Sequence, residues 1–225
     1  MQINFIESPT KDNRFYTDEN LKKLVDLTLE NFDNRLFEDI LALISTDNLV
    51  IVDDLINQFK SENDNQFKDI YSELYGILKK IYKTKNKDNL RGSFLELIIF
   101  KILDKKYGII KNRFDYGING FIEINGKKSK KTIDVFSLCK LEGFVCECKI
   151  KSSGFENHDI ENLNWIYICS NEILIPYIIS LSSESFLNEK LSELYIDDFS
   201  NAFVNGQYIK IVSIDNFGDV FRGLS

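Results

Sequence analysis

The chain of 225 residues contains a single histidine, His158, and this scarcity disfavours several kinds of catalytic site. Zinc sites built from several histidines and Ser-His-Asp triads both require histidine in a central role. His158 itself is expected to head a helix, in a surface or capping role rather than a catalytic one. We therefore expect any catalysis by this protein to use carboxylates, lysine and a hard metal ion.

Long apolar runs are also missing, because the sequence has no stretch of about 18 apolar residues that would span a membrane. The N-terminal segment lacks the basic-then-apolar pattern of a secretory signal. Without an export signal, the four cysteines are expected to stay reduced. These observations predict a cytoplasmic protein without a membrane partner, large enough to bury one or two hydrophobic cores.

The net charge of −7 disfavours a polyanionic partner at first sight, but the charge is unevenly distributed. Residues 88–151 carry a net charge of +5, whereas residues 1–87 carry −4 and residues 152–225 carry −8. A local concentration of positive charge can decide binding to nucleic acid more than the total does. The alternative is a solvated lysine-rich loop.

Apolar residues recur at steps of three and four between residues 18 and 83, which predicts helices, with Asp18 as a cap of the first. The polar stretch KTKNKDN at residues 83–89 is the best candidate for a boundary. We therefore assign residues 1–87 to an all-helical region and residues 88–225 to a second domain. The helical region is a candidate surface for a homodimer or a protein partner.

Beyond residue 88 the pattern predicts an α/β domain with a mixed sheet flanked by helices. A buried helix comes first, over residues 90–106. The period then changes to two, which predicts strands, and turns are expected at Asn119-Gly120 and Asn125-Gly126. The further predicted elements are strands over 109–116, 121–125, 132–139, 143–151 and 174–181, helices over 157–172 and 183–194, and a hairpin around Asn205-Gly206 with 207–214 as its second strand.

The segment 131–151, KTIDVFSLCKLEGFVCECKIK, is predicted to be an apolar hairpin that nevertheless carries Asp134, Glu147 and Lys149. A four-residue loop over residues 140–143 would place Asp134 beside Lys149 and diagonal to Glu147, on one face of the sheet. Clustered carboxylates repel each other, and a divalent cation such as Mg²⁺ or Mn²⁺ relieves that repulsion. The alternative is a structural salt-bridge ladder of little energetic value.

Asp134, the intervening residues and the E-x-K sequence at 147–149 resemble the PD-(D/E)XK nuclease superfamily, which has the restriction-endonuclease-like fold. Its core of helix, three strands, helix and strand is similar to the predicted order of elements from residue 88. The resemblance implies that Glu96, in RGSFLE, binds a metal ion together with Asp134, Glu147 and the Cys148 carbonyl. It also implies that Lys149 is the catalytic lysine. The sequence departs from the pattern at Ile133, where the family has proline.

The resemblance implies a metal-dependent endonuclease that hydrolyses phosphodiester bonds, with DNA favoured over RNA and restriction or anti-phage defence as its setting. The alternative is a catalytically inactive module of the same fold that binds nucleic acid or a protein. Arg91 is a candidate for phosphate contact or for pairing with a local acid. The remaining candidate nucleic-acid-binding residues are Lys127, Lys128, Lys130, Lys131 and Lys151.

Overall fold

The computed structural model of the protein describes residues 1–9, 15–32, 35–62, 67–107, 114–140, 142–194 and 209–222. The chain divides into two compact units. The helical unit comprises Lys11–Ile98, and the sheet unit comprises Met1–Thr10 together with Ile99–Ser225. The predicted boundary between residues 87 and 88 stays a prediction. Within the described ranges, no helix has the length and apolar character needed to cross a membrane.

The helical unit contains four helices and the first part of a fifth. They are α1 (Glu19–Glu30), α2 (Arg35–Ser45), α3 (Leu49–Glu62), α4 (Lys68–Tyr82) and α5 (Lys87–Tyr107). The carboxylate of Asp18 accepts hydrogen bonds from the backbone N–H groups of Asn20 and Leu21, each at 2.9 Å, which confirms its predicted role as the cap of α1. The apolar residues predicted from the helical period line the interior of this unit, as Leu24, Ile40 and Leu74 show.

Asp39 is a carboxylate buried inside the helical unit, where an acceptor without a hydrogen bond would destabilise the fold. Asp39 on α2 is 6% exposed, and the hydroxyl of Tyr71 on α4 donates a hydrogen bond to it. Burial raises the pKa of Asp39, and the bond from Tyr71 and the charge of Arg35 partly offset that rise. The Tyr71 hydroxyl therefore ties α4 to α2 through a group that is costly to leave without a donor.

The sheet unit is built on a seven-stranded mixed sheet. Its strands are β1 (Ile3–Glu7), β2 (Phe114–Ile124), β3 (Lys127–Lys128), β4 (Ile133–Cys139), β5 (Glu142–Lys149), β6 (Leu174–Ser180) and β7 (Lys210–Val212). The order is β1-β2-β4-β5-β6-β7, with β3 paired to β2. Pairs from β1 to β5 are antiparallel, whereas β5, β6 and β7 are parallel.

Helices cover this sheet as the sequence predicts, so the mixed α/β architecture is confirmed. They are α6 (Asn157–Cys169), α7 (Glu184–Leu194) and α8 (Phe217–Arg222), together with the last part of α5. Ile160 and Leu163 of α6 join one hydrophobic cluster with Phe136 of β4 and Val145 of β5. The assignment to a restriction-endonuclease-like topology in particular stays a prediction.

Two elements differ from the expectations, and both involve β2. The predicted turn at Asn119-Gly120 is wrong, because β2 runs unbroken through these residues, with Asn119 at φ +50°. Strand β1, which the sequence analysis did not anticipate, pairs with β2 and places the Phe5 ring against it. A Cβ at Gly117 would lie 2.1 Å from this ring, and one at Gly120 would lie 2.3 Å from it. Both glycines therefore leave room for Phe5, and Gly120 does not mark a turn.

The turn predicted at Asn125-Gly126 is confirmed. Both residues have positive φ, +50° and +79°, and they join β2 to β3 through a two-residue loop. That geometry is the one in which an Asn-Gly pair is favoured. The predicted hairpin around residues 205–206 and most of the predicted strand over 109–116 lie outside the described residues.

Replacing Tyr71 by phenylalanine is expected to lower the free energy of unfolding of the helical unit by about 1–3 kcal/mol, because the buried Asp39 carboxylate loses a donor. Urea unfolding followed by far-UV circular dichroism measures this change. The matched control is Tyr75→Phe on the same helix, whose hydroxyl bonds the exposed Asp53 and whose loss should cost no more than about 0.5 kcal/mol. Equal costs for the two variants would contradict the assignment.

Candidate active site

The β4–β5 hairpin places the charged residues of the E-x-K segment, and its register differs from the predicted one. Cys139 pairs with Glu142 and Val135 pairs with Cys146, so the loop holds two residues instead of the predicted four. Lys140, the first loop residue, has φ +58°, as a tight two-residue hairpin turn requires. Continued by one residue, this register sets position 134 opposite 147 rather than opposite 149.

The error in register leaves the predicted face unchanged, because pairing has shifted by two residues and side chains alternate with a period of two. Contacts within the hairpin agree with this. The backbone N–H of Cys148 donates to Oδ2 of Asp134 at 2.6 Å, and Nζ of Lys149 donates to Oε1 of Glu147 at 2.5 Å. The structure therefore brings Asp134, Glu147 and Lys149 together with the backbone of Cys148.

Burial dominates the electrostatics of the two carboxyl groups. Glu147 is 6% exposed, and burial, followed by the charge of Asp134, raises its pKa to about 8. Burial likewise raises the pKa of Asp134, although the charge of Lys149 and the hydrogen bond from Cys148 oppose the rise. Two acids that resist ionisation at one place are typical of a site that receives a cation.

Burial and neighbouring charge shift the pKa of Lys149 in opposite directions. Burial lowers its pKa, but the neighbouring carboxylates of Glu147 and Asp134 outweigh burial and raise the pKa above its ordinary value. The aliphatic part of the side chain lies beside Gly154, at which a Cβ would be 3.5 Å from Cδ of Lys149. The ammonium nitrogen lies 6.0 Å from the centroid of the Phe155 ring. The lysine is therefore charged, and its side chain lies beside the turn that follows β5.

Asp159 is a further carboxylate that acts on this site, and the sequence pattern does not single it out. Asp159 lies in the first turn of α6 and is 6% exposed. Its charge contributes to the raised pKa values of Asp134, Glu147 and Lys149. Its Oδ2 accepts the backbone N–H of Glu156 at 3.0 Å, which is an ordinary capping contact. The sequence alone suggests a capping role for Asp159. Its effect on the pKa values of the hairpin residues becomes visible only once α6 is placed on the sheet.

Two predicted site residues, Glu96 and Arg91, lie in the helical unit on α5. Glu96 is partly buried and accepts a hydrogen bond from the hydroxyl of Tyr16, and its role as a metal ligand stays a prediction. The Arg91 side chain pairs with Asp88 at 3.2 Å and donates to the backbone carbonyls of Ile44 and Ser45 at 2.9 and 3.0 Å.

Arg91 thus closes the C-terminal end of α2, where unpaired carbonyls attract a cation. At 3% exposure its guanidinium has little surface left for a phosphate. The structure shows Arg91 paired with a local acid, Asp88. Its contact with phosphate stays a prediction.

The predicted nucleic-acid-binding lysines lie in the sheet unit. Lys127, Lys128, Lys130, Lys131 and Lys151 are all exposed. Lys128 places its ammonium 3.6 Å from the centroid of the Phe121 ring, and Lys131 lies 3.9 Å from Oδ1 of Asp159. The first four lysines form a basic turn, residues 127–131, that leads into β4 and the Asp134 position. Their contact with nucleic acid stays a prediction.

The carboxylates of Asp134 and Glu147 are oxygen donors of the kind that a hard divalent cation prefers. Among the residues that the structure describes, no three or more His, Cys, Asp and Glu side chains form a group that could hold a metal ion. Mg²⁺ needs fewer, because it keeps several waters and binds through one or two carboxylates. The contacts found in the described part of the chain engage one oxygen each of Asp134 and Glu147, so the other oxygen of each is available.

Comparison with known proteins places the chain by fold only. No protein-family model and no curated protein matches its sequence. Among solved structures, protein VC1899 from Vibrio cholerae is similar, with a TM-score of 0.50 and 14% identity over 99% of this chain and 57% of that one. Can2 from Sulfobacillus thermosulfidooxidans, solved with cyclic tetra-adenylate, gives a TM-score of 0.43 and 10% identity over 92% and 57%.

The chain thus spans little more than half the length of either neighbour. The likeness to VC1899 shows a shared fold, and the weaker likeness to Can2 carries no conclusion. Membership of the PD-(D/E)XK superfamily therefore stays a prediction that rests on the residues of the hairpin.

Replacing Glu147 by glutamine is expected to stabilise the protein in EDTA at neutral pH. Because its pKa of about 8 keeps Glu147 largely protonated in the folded state, folding at neutral pH must reverse the ionisation that the unfolded chain allows, and glutamine avoids that cost. The midpoint of thermal unfolding should rise by at least about 2 °C, the shift that about 1 kcal/mol produces in a chain of this size. Differential scanning fluorimetry measures it. Glu142→Gln, an exposed glutamate on the same strand, should change the midpoint little, and a lower midpoint for Glu147→Gln would contradict the electrostatic account.

Proposed function

We propose that the protein is a metal-dependent endonuclease that hydrolyses phosphodiester bonds, with DNA as its substrate. The observation that carries the proposal is the convergence of Asp134, Glu147 and Lys149 on one hairpin, joined by the bonds Cys148 N–H to Asp134 and Lys149 to Glu147. Restriction or anti-phage defence as the setting rests on the sequence resemblance alone.

Asp134 and Glu147 would hold the cation, with the carbonyl of Cys148 as a backbone ligand, and Mg²⁺ or Mn²⁺ suits such oxygen donors. When bound, the ion would supply Lewis-acid stabilisation of charge on the phosphate. Glu96 is a further ligand by resemblance only. The raised pKa of about 8 for Glu147 supports the assignment, because a cation would favour the ionised form that burial disfavours.

Lys149 has two uses in this chemistry. Its raised pKa keeps the ammonium charged, so it can stabilise negative charge that develops on a phosphate oxygen. Its hydrogen bond to Glu147 also orients it towards the carboxylates. A preorganised cation of this kind stabilises a transition state without a cost of reorganisation at the moment of reaction.

Replacing Lys149 by alanine is expected to lower the rate of DNA cleavage by about 100- to 1,000-fold, the usual loss for a removed charge-stabilising group. The assay follows supercoiled and linear DNA, with RNA as a parallel substrate, in Mg²⁺, in Mn²⁺ and in EDTA. Cleavage should require metal and the wild-type lysine.

Lys23→Ala, a loss of an exposed lysine on α1, is the matched control and should cleave as the wild type does. Equal cleavage by wild type and Lys149→Ala would assign the activity elsewhere. Metal-independent binding of DNA without cleavage by the folded wild type would instead identify the inactive binding module that the sequence leaves open. Circular dichroism of each variant verifies that loss of activity is not loss of fold.

A further inference from the structure

The backbone of Lys131 is fixed to helix α6, unlike that of an ordinary exposed loop residue. Asn162 of α6 is 6% exposed, and its side-chain amide meets Lys131 from both sides. Oδ1 of Asn162 accepts the N–H of Lys131, and Nδ2 donates to its carbonyl, each at 3.4 Å. Buried Ser129 donates to the same carbonyl at 2.8 Å and accepts the N–H of Ile122 at 3.1 Å. Lys131 is therefore held to both α6 and β2.

The side chain of Lys131 is directed by a second residue of the same helix face. Asp159 lies one turn before Asn162 on α6, and its Oδ1 is 3.9 Å from Nζ of Lys131. Asp159 is itself fixed, because Oδ2 accepts the N–H of Glu156 and Oδ1 lies 3.1 Å from Nε2 of His158. The Lys131 side chain nonetheless stays 44% exposed, so its ammonium remains accessible to an anion.

This assembly stands next to the proposed active site. Lys131 precedes Asp134 by three residues, which in extended chain is roughly 10 Å between Cα atoms. Helix α6 packs on the sheet face that carries Phe136 and Val145, the face to which Asp134 and Glu147 belong by alternation. A phosphate that follows the one at the metal-binding carboxylates would lie within reach of a lysine at this distance.

Among the residues that the structure describes, Lys131 is the one lysine of the basic turn whose side chain pairs with an acid. Lys127 and Lys130 are exposed, and Lys128 rests on the Phe121 ring. A lysine side chain without an acidic partner attracts a polyanion without fixing its position, whereas an ordered one can hold a phosphate in register with the reacting groups. The geometry thus separates one lysine of the turn from its neighbours.

We propose that Lys131 is the residue that positions the nucleic-acid backbone at this site, and that Asn162 and Asp159 are positioning residues that act through it. This inference rests on the proposed function. It assigns a role in catalysis to the head of α6, which contributes none of the predicted metal ligands.

Steady-state cleavage kinetics test the role of Lys131. We expect Lys131→Gln to lower kcat/KM by about 100-fold, with about tenfold from weaker binding and about tenfold from kcat, because the lost contact to a charged group both weakens binding and misplaces the phosphate. Lys130→Gln should raise KM by less than about threefold, an effect that added salt removes. Lys140→Gln, at the other end of the hairpin, should change neither constant, and Lys131→Arg should restore most of the activity. Equal losses for Lys131→Gln and Lys130→Gln would overturn the proposal.

A double-mutant cycle tests the positioning residues. Asn162→Ala should lower kcat about tenfold in the wild type but less than about twofold in the Lys131→Gln background, because no ammonium is left to position. A purely structural role would instead give independent losses in the two backgrounds, and that result would overturn the assignment of Asn162. Where Asn162→Ala does not give folded protein, Asp159→Asn provides the same comparison, with its effect on kcat expected to shrink in the same way.

Binding in EDTA separates failure of this inference from failure of the proposed function. The probe is a fluorescein-labelled DNA duplex, followed by anisotropy with the full-length variants. Lys131→Gln should weaken binding about tenfold and Lys140→Gln should not. Absence of cleavage by the wild type in every metal would remove the proposed function, yet the binding series would still decide the role of Lys131. Equal affinities of wild type and Lys131→Gln would overturn it.

Discussion

The hydrogen bond from the Cys148 backbone to the Asp134 carboxylate is the contact on which the candidate site depends. Regular pairing of β4 with β5 extends from Cys139 and Glu142 to Val135 and Cys146. Beyond that point Cys148 still has an N–H to satisfy, and the side chain of Asp134 accepts it at 2.6 Å. A carboxylate thus takes the place of a backbone acceptor. The Asp134 carboxylate is thereby held at the backbone of Cys148, the residue between Glu147 and Lys149. Because those two residues are its chain neighbours, all three charged groups stay close together.

The buried carboxylates of the site repel one another, and two lysines offset that repulsion. Asp134, Glu147 and Asp159 act on one another as like charges, and burial disfavours ionisation of the first two. Lys149 and Lys131 oppose that repulsion, one from within the hairpin and one from the basic turn. A hairpin filled with Val and Ile at these positions would avoid the desolvation of every one of these groups. The arrangement is therefore costly for stability and is typical of a site whose charges serve a ligand.

Much of the site could be predicted because the period of a strand tolerates an error in loop length. The two-residue loop was predicted as four residues, and the face of Asp134 and Glu147 came out the same because the difference is even. Asp159 could not be found in this way, since an acid in the first turn of a helix is ordinary capping chemistry. Strand β1 was missed because its pairing partner lies more than a hundred residues away. Gly120 of β2 was assigned to a turn for the same reason, because the Phe5 ring of β1 is what it accommodates.

The fold and the function rest on different evidence in this protein. The similarity to VC1899 concerns the path of the chain, and one path can host many chemistries. Chemistry depends instead on a few atoms: one free oxygen on each of two carboxylates, a charged lysine beside them, and an ordered lysine at the head of the adjacent helix. Each of these features has a structural explanation when it is taken alone. A structural salt-bridge ladder does not explain their combination. Such a ladder needs no pair of acids that resist ionisation, and it needs no second lysine whose backbone is hydrogen-bonded by a buried amide. The proposed function, in which the site would hold a cation and align a phosphate, accounts for all of them together.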